Sequence, residues 1–170
     1  MIRSTLPPVP SRIGLRSNKR QVGFKSCRAG RRVCSLCPFT GIASDHKSIV
    51  GEVKIEHSGL IVPIKEDISC RDSFCLYILS CKKPGCMKQY AGMSTRPLYK
   101  RFAEHLANIQ DPNSTSSVGK HWQVGGHNVS HLEFIGVEKL GNRCPITLRQ
   151  REIQLINKTG LLGSGLNMQT

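Results

Sequence analysis

The chain has 170 residues, 38% of them hydrophobic and 5% aromatic, which suffices for one modest core with appendages. Its 25 basic and 11 acidic residues give a formal charge of +14, so the expected partner is a polyanion, with DNA the natural candidate. No run approaches the roughly 20 apolar residues that span a bilayer. The opening Ile2-Arg3-Ser4-Thr5-Leu6-Pro7-Pro8 has no apolar core of a signal peptide. No membrane partner is expected, and the expected location is nuclear or cytoplasmic.

Residues 1–26 are rich in Pro, Ser and Arg without apolar periodicity and read as a basic linker or tail. Residues 1–44 carry Arg3, Arg12, Arg16, Lys19, Arg20, Lys25, Arg28, Arg31 and Arg32 but no Asp or Glu. A solvated tail and a polyanion-binding arm both fit that run, and the basic bias of the whole chain favours the arm. Residues 27–73 form a cysteine-rich segment: Cys27, the pair Cys34 and Cys37, two short alternating stretches at Ile49 to Glu56 and Gly59 to Ile64, and Cys70. From residue 74 to the end a third region is expected. Phe74 to Leu79 reads as a strand, and Lys88 to Gly92 as a second strand that closes a hairpin with it.

Ser94, Thr95 and Pro97 then give a helix start, with a hydroxyl to cap free N–H groups and a proline suited to the first turn. Leu98, Phe102, Leu106 and Ile109 share one arc at 100° per residue, so Arg96 to Ile109 is predicted as an amphipathic helix. Arg101 and His105 fall side by side at the border of that arc, able to reach a cleft over the hairpin. An apolar strand at Leu132 to Leu140 and a helix from Ile146 to Lys158 complete the chain. On that helix Glu152 falls about 40° from Leu148, inside an arc with Ile153, Leu155 and Ile156. An inward carboxylate is costly unless it is paired or binds a metal.

In a reducing compartment, cysteines serve as metal ligands or free thiols rather than disulfides. Cys81-x4-Cys86 lies inside the hairpin, and His121 and His127 follow at an H-x5-H spacing. The four can surround one tetrahedral zinc, because each short spacer turns the chain through a single loop. Cys34 and Cys37 form a second zinc signal, which Cys27 and Cys70 complete, or else His46 or His57 in place of one of them. One or two structural Zn²⁺ ions are expected. Cys75 and Cys144 are left over and read as small buried hydrophobes.

Cys75-Leu76-Tyr77 and Tyr90-Ala91-Gly92, with Arg101 and His105 after them and Glu152 and Gly165-Leu166-Asn167 near the end, resemble the GIY-YIG endonuclease family. Cys and Leu stand in the first motif where the family has Gly and Ile, and Ala in the second where it has Ile. The upstream cysteine cluster, Cys81 and Cys86 between the motifs, and His121-Trp122 to Gly126-His127 are similar to the GIY-YIG domains of Penelope-like retroelements over about residues 27–167. The resemblance implies a reverse transcriptase domain in a longer parent protein, with residues 1–26 as the junction.

It also implies roles. Glu152 would hold a catalytic Mg²⁺ or Mn²⁺, since one carboxylate with several waters and phosphate oxygens satisfies Mg²⁺. Tyr77 would be the general base or its relay, with His105 lowering the cost of phenolate. Tyr90 would orient the water or scissile phosphate, Arg101 would neutralise transition-state charge, and Asn167 would buttress the site.

The expected fold is α/β: a small, mainly antiparallel three-stranded sheet flanked by helices, preceded by a cysteine-rich zinc-binding segment. The expected function is a metal-dependent DNA endonuclease that nicks target DNA for a retroelement. Two alternatives remain: a catalytically inactive nucleic-acid-binding zinc module, and a structure-selective repair nuclease of the same fold.

Overall fold

The computed structural model describes residues 22–27, 34–42 and 49–168. Residues 1–21 of the basic arm, together with Arg28, Arg31, Arg32 and His46, lie outside them. In chain order the elements are β1 (Phe24–Lys25), a 3₁₀ turn (Cys37–Phe39), β2 (Ile49–Val50), β3 (Glu52–Lys54), β4 (Ile61–Pro63) and β5 (Ile68–Ser69). There follow β6 (Cys75–Cys81), β7 (Gln89–Ser94), α1 (Leu98–Gln110), α2 (Ser117–Gln123), a second 3₁₀ turn (Val129–His131), β8 (Leu132–Lys139), α3 (Pro145–Thr159) and α4 (Leu161–Ser164). The protein is thus mixed α/β, built from small sheets and helices.

The largest sheet is antiparallel with the order β7-β6-β8. Every residue of β6 is buried, as its run of Cys, Leu, Tyr and Ile requires. Two smaller sheets pack beside it: β2-β1-β5, in which β1 runs antiparallel to β2 and parallel to β5, and the β3-β4 hairpin. Phe24 and Lys25, which the sequence places at the end of the tail, therefore form a strand, and Phe24 is fully buried. One cluster of buried residues runs from Phe24 through β6 and β8 to Leu148 and Leu161. Among the described residues no helix is long and apolar enough to cross a membrane.

Two glycines set how closely the layers approach. Gly92 pairs with Tyr77 across the β6-β7 ladder, and a Cβ there would stand 2.5 Å from the Tyr77 Oη and 2.7 Å from the Tyr90 ring. Gly136 pairs with Tyr77 from the β8 side, and a Cβ there would meet Leu98 at 2.8 Å and Phe24 at 3.0 Å. The hairpin's central tyrosine thus lies between two positions without side chains.

The start of α1 departs from the expectation. Ser94 ends β7, and its hydroxyl accepts from the Arg96 N–H and donates to the Arg96 carbonyl, so it caps no helix. Pro97 is the N-cap itself, and the Leu98 and Tyr99 N–H groups donate to the carbonyls of Asp72 and Cys70. The segment before β6 caps the helix, a tertiary solution to the same unpaired donors. The helix buries Leu98, Phe102, His105 and Ile109, so His105 lies within the buried face rather than at its border. On α3, Leu148 and Glu152 are buried but Ile153 is 45% exposed, narrowing the expected apolar arc. Cys144 is half-buried at the N-cap of α3, not enclosed in the core as Cys75 is.

Gly92→Ala is expected to lower the unfolding free energy by about 1–3 kcal/mol, since the tyrosines must shift to admit one methyl group. Urea denaturation of the two proteins side by side gives the difference, and equal stability would show that the tyrosines yield without cost.

Candidate active site and metal-binding centres

Tyr77 lies fully buried on β6, stacked on Phe134 with ring centroids 4.4 Å apart. A buried hydroxyl needs partners, and α1 supplies both. The Tyr77 Oη lies 2.7 Å from His105 Nε2, and Arg101 Nε–H donates to the same oxygen at 3.0 Å. A guanidinium only donates, so the hydroxyl hydrogen is left for the imidazole nitrogen, with the ring proton on Nδ1. Burial, with Arg101 second, lowers the His105 pKa from an ordinary 6.5 to about 3, which keeps the ring a neutral acceptor. Burial likewise pushes the Tyr77 phenol up, outweighing the Arg101 charge, so in this arrangement the phenol is neutral rather than phenolate. Arg101 is itself held by Glu104, whose carboxylate accepts from its Nη1 at 2.7 Å and also pairs with Arg96.

Tyr90 lies on the neighbouring strand, with its ring 6.2 Å from that of Tyr77 and 5.5 Å from that of His105. Unlike Tyr77 it reaches a cleft of about 520 Å³ whose lining includes Arg149, Glu152, Asn157 and Asn167. Glu152 is only 4% exposed and pairs with Arg149, one turn earlier on α3. Asn167 completes this edge by pairing its side-chain amide with the backbone of Ala91: Ala91 N–H donates at 2.9 Å, and Asn167 Nδ2 donates to the Ala91 carbonyl at 2.7 Å. Leu166 N–H also donates to the Gln89 carbonyl at 2.7 Å. Gly165 permits the approach, because a Cβ there would be 2.5 Å from that carbonyl. Residues 165–167 therefore dock along β7 without forming a strand, with Asn167 substituting a side chain for backbone.

The structure thus brings together all six expected site residues, but in two shells. Tyr77, His105 and Arg101 form an interior hydrogen-bonded set, while Tyr90, Glu152 and Asn167 face the cleft. Sequence reading missed Glu104 and Arg149. Both stand three residues from a residue that was found, a spacing that places opposite charges on one helix face and could have revealed them.

The cysteines and histidines converge in the two groups of four read from the sequence, each with ligand atoms within 4.8 Å of one another. In the first, Cys37 Sγ lies 3.5 Å from Cys27 Sγ, 3.6 Å from Cys34 Sγ and 3.3 Å from Cys70 Sγ. Thiolates around a tetrahedral zinc stand about 3.8 Å apart, so this set can hold zinc with little movement. Cys70, just after β5, completes the four, so between Cys70 and His57 the choice falls to the cysteine, while His46 lies outside the described residues.

In the second group, Cys86 Sγ is 3.5 Å from His121 Nε2, and the His121 and His127 ring centroids are 4.3 Å apart. His121 lies on α2, not in a loop as expected. Gly119 brings that helix against α1, where a Cβ would be 2.5 Å from the Asn108 carbonyl. Trp122 anchors the following turn by donating from Nε1 to the Asn128 carbonyl at 3.1 Å. His127 Nδ1 bonds the Val124 carbonyl at 2.9 Å, leaving Nε2 buried without a partner, as a ligand nitrogen would be. Burial, then His127, lowers His121 to about 4, so it too is neutral and able to bind a metal. Both groups fit zinc, and the second links the β6-β7 loop to α2.

No protein-family model, no curated protein and no solved structure matches this chain.

Two predictions follow from this geometry. Elemental analysis is expected to find two zinc ions per chain, with Cys37→Ser and Cys81→Ser each losing one; undiminished zinc in either would remove that site. Because burial pushes the Cys34 and Cys81 thiols up to about 11, zinc uptake releases protons and weakens as pH falls. The second concerns His105, whose depressed pKa makes a contribution to stability that is present above its ordinary 6.5 and lost as pH falls towards 3. The His105→Phe protein is expected to lose stability less steeply over that window, by up to about 1.4 kcal/mol per pH unit. Denaturation curves at several pH values test it, and parallel slopes would show that the fold does not depress the imidazole's pKa.

Proposed function

We propose that this chain is a metal-dependent DNA endonuclease of the GIY-YIG type, nicking target DNA in the setting of a Penelope-like retroelement. The single observation that supports this reading most is the convergence on one strand pair of Tyr77, held by Arg101 and His105, with Tyr90, Glu152 and Asn167 at the adjoining cleft. These residue types cover the needs of phosphodiester hydrolysis: a proton acceptor, a fixed cation and a metal-binding carboxylate. Charge bookkeeping supports a polyanionic substrate. Among the described residues seven carboxylates, Glu56, Asp67, Asp72, Glu104, Glu133, Glu138 and Glu152, are paired with cations, while the whole sequence carries 25 basic residues against 11 acidic ones.

Glu152 fits Mg²⁺ or Mn²⁺ by its buried carboxylate facing the cleft, with the exposed Arg149 as a partner that can move away. When bound, such an ion supplies Lewis-acid stabilisation of the phosphate oxygens. The protein's own residues supply the rest. Tyr90 orients water or the scissile phosphate at the cleft. Tyr77, buried on β6, would be the relay rather than the direct base: its hydroxyl proton goes to His105 Nε2 and the attacking water's proton replaces it on the phenol oxygen. Arg101 balances the negative charge that develops on the phenol oxygen, and Asn167 fixes the edge of β7 on which Tyr90 is carried. Arg149, displaced from Glu152, is placed to meet a phosphate.

The second reading, a catalytically inactive nucleic-acid-binding zinc module, is favoured by one observation: Tyr77 has no exposed surface. Nicking of supercoiled plasmid with Mg²⁺ separates the two. Glu152→Ala and Arg101→Ala are each expected to slow nicking about 100-fold or more, with duplex binding changed only a few-fold, since binding rests on many dispersed contacts. Nicking unaltered in both variants would overturn the assignment, and no nicking by the wild-type protein would favour the inactive module.

A further inference from the structure

A second cleft of about 520 Å³ opens beside the Cys81/Cys86/His121/His127 group, and its lining contains His57, Lys83, Met87, Lys88 and Ser164 but no Asp or Glu. Lys83 Nζ donates to the Gly125 carbonyl at 3.1 Å, and Lys88 Nζ donates to the Ser164 carbonyl at 2.9 Å. Each ammonium has three N–H donors, so neither is satisfied by one carbonyl, and neither has a carboxylate partner among the described residues. Lys82 shows the contrast: one residue from Lys83, it sits between Glu56 at 3.3 Å and Glu133 at 3.1 Å. His57, from the β3-β4 turn, adds a buried Nδ1 without a partner. The cleft therefore gathers three nitrogen groups around a space lined by no carboxylate.

Lys88 directly precedes β7, its carbonyl accepting from the Cys81 N–H at 3.0 Å, so the ladder continues through it. Residues two apart on a strand share a face, which sets Lys88 about 7 Å along the strand from Tyr90 at the Glu152 cleft. We propose that the cleft lined by Lys83, Lys88 and His57 is a binding site for the phosphodiester backbone, holding the flank of the same DNA whose scissile phosphate sits at Tyr90 and Glu152. This inference rests on the endonuclease reading for its ligand and adds where the DNA lies. The metal-binding loop then has two tasks: Cys81 and Cys86 fix it to α2, and the lysines between and after them meet the substrate.

The test measures binding of a short fluorescent duplex to the zinc-loaded protein, without Mg²⁺, over a range of salt. Lys83→Ala/Lys88→Ala is expected to make the slope of log affinity against log salt shallower by about 1.8, two phosphate contacts at about 0.9 each. Lys83→Arg/Lys88→Arg should keep the wild-type slope. Lys65→Ala/Lys158→Ala, which removes the same charge from the cleft between β4 and α3, should also leave it unchanged. Should the alanine pair not fold, Lys83→Gln/Lys88→Gln gives the same readout. A wild-type slope in the neutralised variant, or an equal fall in the Lys65/Lys158 control, would overturn the site while the endonuclease reading stands. A wild-type protein that binds no duplex would overturn both.

Discussion

A strand with all seven residues out of water must be covered on both faces and paired along both edges, and the rest of this protein is arranged to meet that demand. β7 and β8 pair the edges of β6. α1 covers the face that carries Tyr77 and Phe134, with Phe102 set edge-on to Phe134 at 5.7 Å. α3 packs along β7 and β6. Burial of the whole strand also traps two hydroxyls: that of Ser80, to which Gln89 Nε2 donates at 3.0 Å, and that of Tyr77. An unpaired hydroxyl there would cost on the order of 1–3 kcal/mol, so the fold must deliver donors and acceptors to it. Arg101 and His105, four residues apart on α1, meet that need together, and the chemistry proposed for the site grows from a requirement of folding.

The same residues show why the site is divided between an interior and a cleft. Close stacking on Phe134 and contact with Gly92 leave Tyr77 no path to solvent, whereas Tyr90, on the edge strand, keeps one side open. Burial raises the Tyr77 phenol and lowers the His105 imidazole, so both start neutral and their shared proton is held without charge separation. Arg101 provides a positive charge in direct contact with the Tyr77 oxygen, and Glu104 keeps that guanidinium in place.

The cysteine and histidine groups address a different weakness. Several strands outside the central sheet are only two or three residues long, too short to hold the N-terminal segments by pairing alone. With zinc bound, the Cys27, Cys34, Cys37 and Cys70 group would tie such segments together at the start of the core, and the Cys81, Cys86, His121 and His127 group would fasten the long β6-β7 connection to α2. Each group fits a closed four-ligand site, with no open position for substrate, so their contribution is to shape rather than to reaction.

Local patterning made the hairpin, β8, α1 and α3 legible, because apolar period and breaker residues mark them without reference to the rest of the chain. The spacing of Cys34 with Cys37, Cys81 with Cys86 and His121 with His127 likewise exposed the ligand pairs, since a short spacer fixes geometry locally. The grouping of those pairs was legible too; what the sequence alone left undecided was a set of single long-range contacts. The choice of Cys70 over His57, the capping of α1 by Asp72 and Cys70, and the docking of Asn167 on Ala91 all join residues far apart in the chain. The division of the two tyrosines between interior and cleft was hidden for the same reason. Both sit in similar strands, and only the central position of β6 and the edge position of β7 decide which one meets water.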